Sequence, residues 1–282
     1  MKRSTKWIIG IVVVVLVVIA GYFSFGNHSG SSTSGKTVTV GIMSGTKQDD
    51  AVWNLVAKNA KNKYKITLQF KRFTDYTQPN KALTSGNVDI NAFQHYDFLD
   101  NWNQANKTNI VPIGRTWITP IRLYSKQIKN VKDFKNGSTI AVPNDATNES
   151  RALFVLKNAG LISFKKGTTQ ATPNSIAKNP KNIKIKELDA SQTARALSDV
   201  TAAVINTNFA LANNVPNKYV IFQEPINKDS VKWVNIFAAN KKDKNKQEYQ
   251  DVVKALQQSN VKKLIHKEYG SAELAAWDLS FK

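Results

Sequence analysis

Residues 37–105 alternate between the two spacings that distinguish strands from helices. Thr37–Met43 is rich in β-branched residues and stops at Ser44-Gly45, whereas residues 65–72 alternate apolar and polar side chains as a half-buried strand does. Between these segments, residues 49–61 place apolar side chains at helical spacing. The same pattern predicts a short helix over 78–84, a strand over 88–91 and a helix over 98–105. Such alternation is typical of a mostly parallel sheet covered by helices.

Residues 139–205 have the same organisation, although no convincing sequence repeat accompanies it. The pattern predicts strands over 139–142, 183–188 and 202–205 and helices over 148–159 and 191–197. Gly160 follows the first of these helices, as expected where a helix ends in the left-handed conformation. Outside the two runs, we expect two extended segments over 111–124 interrupted at Pro120, strands over 219–222 and 231–238, and one or two amphipathic helices over 247–269.

These elements predict an α/β fold of two lobes joined by extended crossovers near 117–124 and 206–222. The first lobe is expected to comprise residues 37–120 plus 221–282, because the C-terminal helices return to it, and the second lobe residues 121–220. A hinged pair of lobes binds its ligand in the cleft between them. The fold therefore predicts an inter-lobe ligand site.

The N-terminal 25 residues have the pattern of a membrane segment. Lys2, Arg3 and Lys6 precede the uncharged run 7–25, which as a helix would span about 28 Å, close to the thickness of a bilayer core. We predict a transmembrane helix here, with the basic side cytoplasmic and the bulk of the chain extracellular at the cell membrane. A cleaved signal peptide is the alternative, although the residues after its apolar run match a small-residue cleavage site poorly. Residues 26–36, rich in Gly and Ser, are predicted to be a flexible linker.

Composition changes this picture in two respects. The 282 residues include 40 Lys and Arg against 20 Asp and Glu, a net charge of +20 that first suggests nucleic acid as a partner. Because the N-terminal segment exports the rest of the chain, we instead expect an anionic envelope or lipid surface to face this charge, and no nucleic acid. The sequence contains no cysteine, which excludes disulfides, thiolate metal sites and a lipid attached through a cysteine thioether.

Few residues suggest catalysis. None of the common nucleophile, phosphate-loop or zinc motifs is present in the sequence, so we predict neither an enzyme nor a metal or cofactor site. His28 lies in the linker and His266 in the last predicted helix. His95 either caps or packs at a strand-to-helix junction, or serves with Phe93 and Phe98 at the carboxyl end of a predicted strand, where ligands bind in open α/β sheets.

A second group of polar residues also permits two interpretations. Arg151 lies one turn inside a predicted helix, where it is either solvated or, with the N–H groups of the helix N-terminus, able to hold a carboxylate. Asn206 and Asn235 lie at strand positions, where amides either form turns or bind the amino and carboxylate groups of a ligand.

Several motifs in a common order resemble the methionine-binding, NlpA-type lipoprotein family, the solute-binding components of ABC importers for methionine. The resemblance covers nearly all of 37–282. The motifs are FTDYTQPN at 73–80, NAFQH at 91–95, IAVPNDATNESRAL at 140–153, ATP at 171–173, NPKN at 179–182 and AVIN at 203–206. The resemblance implies a type II periplasmic-binding fold that closes around L-methionine without transforming it and delivers it to an ABC permease and its ATPase.

The family resemblance also implies roles for individual residues. Arg151, supported by Asn148, is expected to pair with the ligand carboxylate. Two asparagines would bind its amino and carboxylate groups, and aromatic residues with one histidine would enclose its side chain. The predicted ligand-binding residues are Tyr76, Phe93, His95, Phe98, Asn148, Arg151, Asn206 and Asn235.

Three departures from the family pattern matter. The lipid-bearing cysteine is missing, so the apolar segment 7–25 must serve as the anchor. Phe98 replaces a tyrosine that the family usually has, and Arg122 stands where the family commonly has a small residue near the cleft. A methionine-containing dipeptide or another apolar amino acid is therefore an alternative ligand. A basic surface adhesin with a vestigial cleft is the alternative of a different class.

Overall fold

The computed structural model describes residues 35–281, and the chain from Lys36 onward forms one compact unit. The predicted membrane anchor, residues 7–25, lies outside the described residues, as does most of the predicted linker, 26–36. Among the helices of the described part, none has both the length and the apolar character needed to cross a bilayer.

The described residues form fourteen strands and eight α-helices. The strands are β1 (Thr37–Met43), β2 (Thr67–Phe73), β3 (Ile90–His95), β4 (Ile110–Arg115), β5 (Trp117–Ile118), β6 (Arg122–Tyr124), β7 (Thr139–Pro143), β8 (Ser163–Phe164), β9 (Ile176–Lys178), β10 (Lys184–Leu188), β11 (Ala202–Ile205), β12 (Val220–Gln223), β13 (Asn235–Asn240) and β14 (Leu274–Ala275). The helices are α1 (Lys47–Tyr64), α2 (Gln78–Thr84), α3 (Tyr96–Asn106), α4 (Ala146–Asn158), α5 (Thr193–Ala196), α6 (Thr207–Ala212), α7 (Gln247–Leu256) and α8 (Ser259–Tyr269).

The first sheet has the strand order β2-β1-β3-β13-β4, and β13 runs antiparallel to both of its neighbours. Val38, Val40 and Ile42 of β1 are fully buried against α1, α7 and α8 on one face of the sheet. A smaller apolar cluster, which includes residues of α2 and α3, covers the other face. This sheet and these five helices form the first lobe.

The second sheet has the order β10-β7-β11-β6-β12, with β6 antiparallel to β11 and β12. Helix α4 packs on one face through Leu153 and Leu156, and α5 and α6 pack on the other face. This sheet and these three helices form the second lobe.

The two sheets have the same strand order although their sequences do not repeat. In each, the strand next to one edge is the antiparallel one, and it borders a crossover between the lobes: β6 follows the first crossover, residues 116–121, and β13 follows the second, residues 224–234. Short strands β5 and β14 pair with each other, which attaches the first crossover to the C-terminal segment. The predicted α/β fold with two sheets is confirmed.

Each sheet contains one antiparallel strand among five, which agrees with the predicted mostly parallel sheets. Two details differ from the sequence predictions. The second crossover lies at 224–234 rather than near 206–222, because Val220–Gln223 pairs with β6 and belongs to the second lobe. The strand predicted over 231–238 begins only at Asn235, since Lys228–Trp233 forms a 3-10 helix capped by Asn227.

Candidate functional site

A cavity of about 750 Å³, including space open to solvent at its mouth, lies between the lobes at the carboxyl ends of β1, β3, β7 and β11. All eight residues singled out in the sequence line it. The first lobe contributes Tyr76, Phe93, His95, Phe98 and Asn235, and the second contributes Asn148, Arg151 and Asn206. Segments that are distant in sequence therefore meet at one place, as the predicted inter-lobe site requires.

Aromatic rings form one wall of the cavity. The Tyr76 ring lies 6.0 Å from Phe93, 5.9 Å from Phe98 and 5.0 Å from Phe209 between centroids, and Phe93 lies 5.6 Å from Phe98. The Tyr76 hydroxyl donates a hydrogen bond of 2.6 Å to Asn208 Oδ1 in the second lobe. Burial raises the pKa of Tyr76, so its phenol remains a donor at neutral pH. This wall suits an apolar ligand group, because aromatic faces provide large contact areas.

His95 is both a helix cap and a cavity residue. Its Nδ1 accepts a 3.0 Å hydrogen bond from the backbone N–H of Phe98 at the start of α3. Burial, assisted by the Arg151 cation, lowers the pKa of His95 to about 3. The neutral ring must therefore carry its proton on Nε2. The nearby Asn148 side chain favours the protonated ring and so offsets part of the lowering of the His95 pKa. The contact does not reach hydrogen-bond geometry, so the buried Nε2 has no hydrogen-bond partner.

Arg151 is already paired. Its Nε donates to Glu224 Oε1 at 2.9 Å, and its Nη2 donates to Glu224 Oε2 at 2.5 Å and to Thr119 O at 2.9 Å. The Trp233 ring lies 5.0 Å from the guanidinium carbon. The sequence prediction assigned the guanidinium fork to a ligand carboxylate, but this edge binds Glu224. The third guanidinium nitrogen, Nη1, takes part in none of these hydrogen bonds.

A chain of amides lies beside Arg151. Asp145 caps α4 by accepting the backbone N–H of Asn148 at 3.0 Å, and its carboxylate also accepts the Asn148 side-chain N–H. The Asn148 oxygen in turn accepts from Asn206 Nδ2 at 2.8 Å. This network assigns the amide orientations and leaves Asn206 Oδ1 as a buried acceptor without a partner. Asn208 Nδ2 is a buried donor that also has no hydrogen-bond partner.

The sequence reading missed the acidic end of the cavity, which is formed by Asp49, Trp53, Trp117 and Glu273. The two indole rings lie 5.4 Å apart. The Asp49 carboxylate accepts hydrogen bonds from the backbone and hydroxyl of Thr46 and from the Tyr269 hydroxyl. Burial, with the charge of Asp49 as a second cause, raises the pKa of Glu273 well above its usual range. The Thr46 to Asp49 capping pattern is a local sequence signal that places Asp49 in the first turn of α1.

Arg122 does not line the cavity. Its side chain is buried on β6, where Nε donates to Gln223 Oε1 at 2.8 Å and Nη2 donates to Ser271 O at 3.4 Å. The sequence left open whether this large cation alters the length or charge of the pocket. In the structure the guanidinium ties β12 to the C-terminal segment and does not reach the cavity.

The cavity has two polar ends of different chemistry. One end offers the Arg151 guanidinium, a neutral histidine donor and several amides, and the other offers carboxyl groups beside indoles. Within residues 35–281, no group of three or more His, Cys, Asp or Glu side chains is arranged to hold a metal ion. The arrangement fits a small ligand that carries both a charged head and an apolar tail.

Comparisons with known proteins agree with this geometry. The family model described as NlpA lipoprotein matches residues 38–277. The probable D-methionine-binding lipoprotein MetQ of Pasteurella multocida is 38% identical over 244 residues, covering 86% of this chain and 87% of that protein. Among solved structures, the substrate-binding protein of a methionine transporter from Streptococcus pneumoniae has a TM-score of 0.81 at 43% identity, covering 86% of this chain and 96% of that one.

A nutrient-binding protein from Burkholderia cenocepacia, whose structure was determined bound to methionine, has a TM-score of 0.80 at 43% identity. The match covers 85% of this chain and 99% of that one. The resemblance found in the sequence motifs is confirmed by the family model and by these relatives. With 240 residues matched and the predicted site residues gathered around one cavity, the chain belongs to the NlpA lipoprotein family.

Proposed function

We propose that this chain is the solute-binding protein of an ABC importer, which captures methionine between its lobes and delivers it to a permease driven by an ATPase. The observation that carries this proposal is the meeting of all eight predicted ligand-binding residues around one inter-lobe cavity. Relatives named for methionine binding or methionine transport support the choice of ligand. The protein binds its ligand and does not transform it, so it is not an enzyme.

The unpartnered polar atoms support a specific mode of binding. Asn206 Oδ1 is a buried acceptor that suits the ligand ammonium group. The Nη1 of Arg151 suits the ligand carboxylate, with Asn148 and Asn235 beside it. The ligand side chain would lie against the aromatic wall, because a thioether makes favourable contacts with aromatic rings.

Delivery depends on the two lobes closing around the ligand, as in a type II periplasmic-binding fold. Closure brings both lobes into contact with the same small molecule, so the ligand stabilises the closed state by its additional contacts there. The permease would then recognise a lobe arrangement that is populated mainly when ligand is bound.

We further propose that residues 7–25 anchor the protein in the cell membrane and leave the rest outside the cell. Two features support this anchor: the run of nineteen uncharged residues follows a basic N-terminus, and the chain has no cysteine for lipid attachment. A cleaved segment is the alternative, and intact-mass measurement of the protein purified from membranes distinguishes the two.

Calorimetric titration of the full-length protein in mild detergent tests the proposed ligand. L-methionine is the ligand expected from the sequence, and D-methionine must be titrated in parallel because that enantiomer appears in the names of relatives. We expect saturable binding of at least one enantiomer with a matching rise in melting temperature. The absence of both heat and thermal shift at millimolar concentrations of each enantiomer would contradict the proposal.

A methionine-containing dipeptide is the second candidate ligand, and the acidic end of the cavity favours it. Glu273 is a buried carboxyl group beside Asp49, and the amino-acid binding mode leaves it without a ligand group. The N-terminal ammonium of a dipeptide would place a positive charge beside these two carboxyl groups, opposite in sign to the Asp49 carboxylate. The dipeptide would then bind more tightly than free methionine. Replacing Glu273 by Gln would weaken the binding of glycyl-methionine and spare that of methionine, whereas equal effects on both would exclude the dipeptide.

A further inference from the structure

Glu224, the first residue of the second crossover, is bound to Arg151 through both carboxylate oxygens and is only 8% exposed. We infer that Glu224 sets the charge selectivity of the cavity: by balancing Arg151, it makes the site accept a zwitterion and reject a carboxylate that lacks an ammonium group. This inference rests on the proposed function, since it concerns the ligand of the same cavity. Glu224 acts through Arg151 and is therefore a positioning residue.

The position of Glu224 is fixed from several directions. Besides the bonds from Arg151, its Oε2 accepts the backbone N–H of Ile121 at 3.3 Å, and its own N–H donates to Ile121 O at 3.0 Å. The pair thus connects α4 in the second lobe to both crossovers, because Arg151 also donates to Thr119 O. A carboxylate held by this many donors keeps its place beside the guanidinium.

Charge balance follows from burial. Arg151 is only 2% exposed. Because little water screens it, its cation interacts strongly with any charge placed beside it. With Glu224 in place, a ligand carboxylate that approaches Nη1 adds a negative charge to a pair that is already neutral. A zwitterion brings its own ammonium group, which Asn206 Oδ1 is free to accept, and so restores the balance.

The other charged groups near the cavity do not supply a spare cation. Asp145 adds negative charge behind Asn148, and Asp49 adds it at the acidic end. Lys232 is partly exposed, and its ammonium lies over the Trp233 ring, 4.5 Å from the ring centroid. Solvent therefore screens it more than it screens Arg151. Glu224 is the carboxylate in direct contact with the cation that meets the ligand.

The test compares methionine with two analogues that each lack one charge: 4-(methylsulfanyl)butanoate, without the ammonium, and 3-(methylsulfanyl)propylamine, without the carboxylate. The full-length wild-type protein and its Glu224→Gln variant are titrated with all three by calorimetry. We expect the preference of the wild type for methionine over the butanoate to narrow by about tenfold or more in the variant, because an unbalanced Arg151 favours an anion. The preference for methionine over the amine should widen.

Conservative variants separate charge from shape. Glu224→Asp keeps the charge, so the ratio of the methionine and butanoate affinities should stay near that of the wild type even if both affinities fall. The control Glu248→Gln removes a carboxylate from an exposed ion pair with Lys36 and should change no ratio. If Glu224→Gln does not fold by circular dichroism, Glu224→Ser, which also removes the charge and leaves room for water beside Arg151, takes its place and should narrow the same ratio of affinities.

The outcomes distinguish this inference from the proposed function. A wild type that binds no methionine rejects the function. A wild type that binds methionine, with Glu224→Gln weakening methionine and the butanoate by the same factor, rejects the role of Glu224 alone and makes it a purely structural tie. A Glu224→Asp variant that narrows the ratio of the methionine and butanoate affinities as much as Glu224→Gln does also rejects this role, because the charge is then not the cause.

Discussion

At the scale of single residues, His95 shows how one side chain both caps a helix and lines the cavity. Its Nδ1 caps α3, and this bond determines that the neutral ring presents an Nε2–H donor beside the cavity. The two interpretations that the sequence left open, a capping residue and a cavity residue, are therefore compatible. The cap fixes the tautomer, and the tautomer fixes what the cavity offers to a ligand.

Paired variants of His95 should separate these two tasks. Asparagine is a good N-cap and alanine is a poor one, so His95→Ala should lower the free energy of unfolding by about 1 kcal/mol more than His95→Asn. Both variants lack the Nε2–H donor and should weaken methionine binding. Urea denaturation measures the first effect and calorimetry the second. Equal stabilities of the two variants would show that the capping bond contributes nothing.

The buried imidazole should also make stability depend on pH. The pKa of His95 falls from 6.5 to about 3 on folding, so between these values the unfolded chain binds a proton that the folded chain does not. The stability from this residue is fully present above pH 6.5 and is lost as the pH falls toward 3. From pH 7 to pH 5 the loss is about 2 kcal/mol.

Comparing the wild type with His95→Asn isolates this effect, because the other titrating groups are common to both proteins. The wild type should lose more stability than the variant between pH 7 and pH 5, as measured by urea denaturation at each pH. Equal losses would mean that the imidazole is not held neutral by folding.

At the scale of elements, α4 carries Asn148 and Arg151 into the cavity from its first two turns, while its other end is at Asn158. The sequence predicted this helix and its terminal glycine from local signals. Gly160 has a φ of 76°, and the Leu161 N–H bonds back to Leu156 O at 3.0 Å. The left-handed conformation is what the helix end needs, and glycine adopts it at little cost.

Replacing Gly160 should therefore affect stability and not binding. Gly160→Ala forces a side chain into the left-handed region and should lower the free energy of unfolding by about 1 kcal/mol. Gly160→Asn should lose less, because asparagine tolerates this conformation. Methionine affinity should be unchanged in both, since the ligand-facing residues lie at the opposite end of α4. Thermal unfolding and calorimetry check the two expectations.

Local patterns predicted the elements well but not the long-range pairings between them. The spacing of apolar residues gave the extent of β1 and the existence of α1 and α4, because burial on one face leaves a periodic signal. It could not show that β13 inserts between β3 and β4, since that pairing joins strands separated by the whole second lobe. The prediction of a strand over 231–234 was wrong because the reciprocal capping of Asn227 and Ser230 favours a 3-10 helix there.

At the scale of the whole molecule, the same limit explains which part of the cavity the sequence could predict. Most of the aromatic and amide residues lie within motifs, so the family resemblance located them, whereas Phe98 and Asn235 lie outside the motifs. Asp49, Trp117 and Glu273 come from three distant segments that meet only when β5 pairs with β14 and α1 packs on the first sheet. The pairing of Arg151 with Glu224 is equally invisible in the sequence, because it depends on where the second crossover passes the second lobe.

One of the hydrogen bonds that join the lobes lies beside the cavity, and deleting a single oxygen atom removes it. The Tyr76 hydroxyl of the first lobe donates to Asn208 Oδ1 of the second, and the Tyr76 ring lies 5.0 Å from Phe209. Tyr76→Phe keeps the ring contact but leaves the buried Asn208 amide without this partner, which costs about 1–2 kcal/mol in the closed state. The open state, where water solvates both groups, is not penalised. The variant should therefore bind methionine about tenfold more weakly.

Small-angle X-ray scattering measures the closure itself. In the wild type, saturating methionine should reduce the radius of gyration. Tyr76→Phe should need a higher methionine concentration to reach the same radius, because its closed state is less stable relative to the open state. Tyr64→Phe, which removes a hydroxyl from the end of α1 away from the cavity, is the matched control and should behave as the wild type. If Tyr76→Phe closes at the wild-type concentration, the hydroxyl bond does not contribute to closure, and the aromatic contacts alone join the lobes at this point.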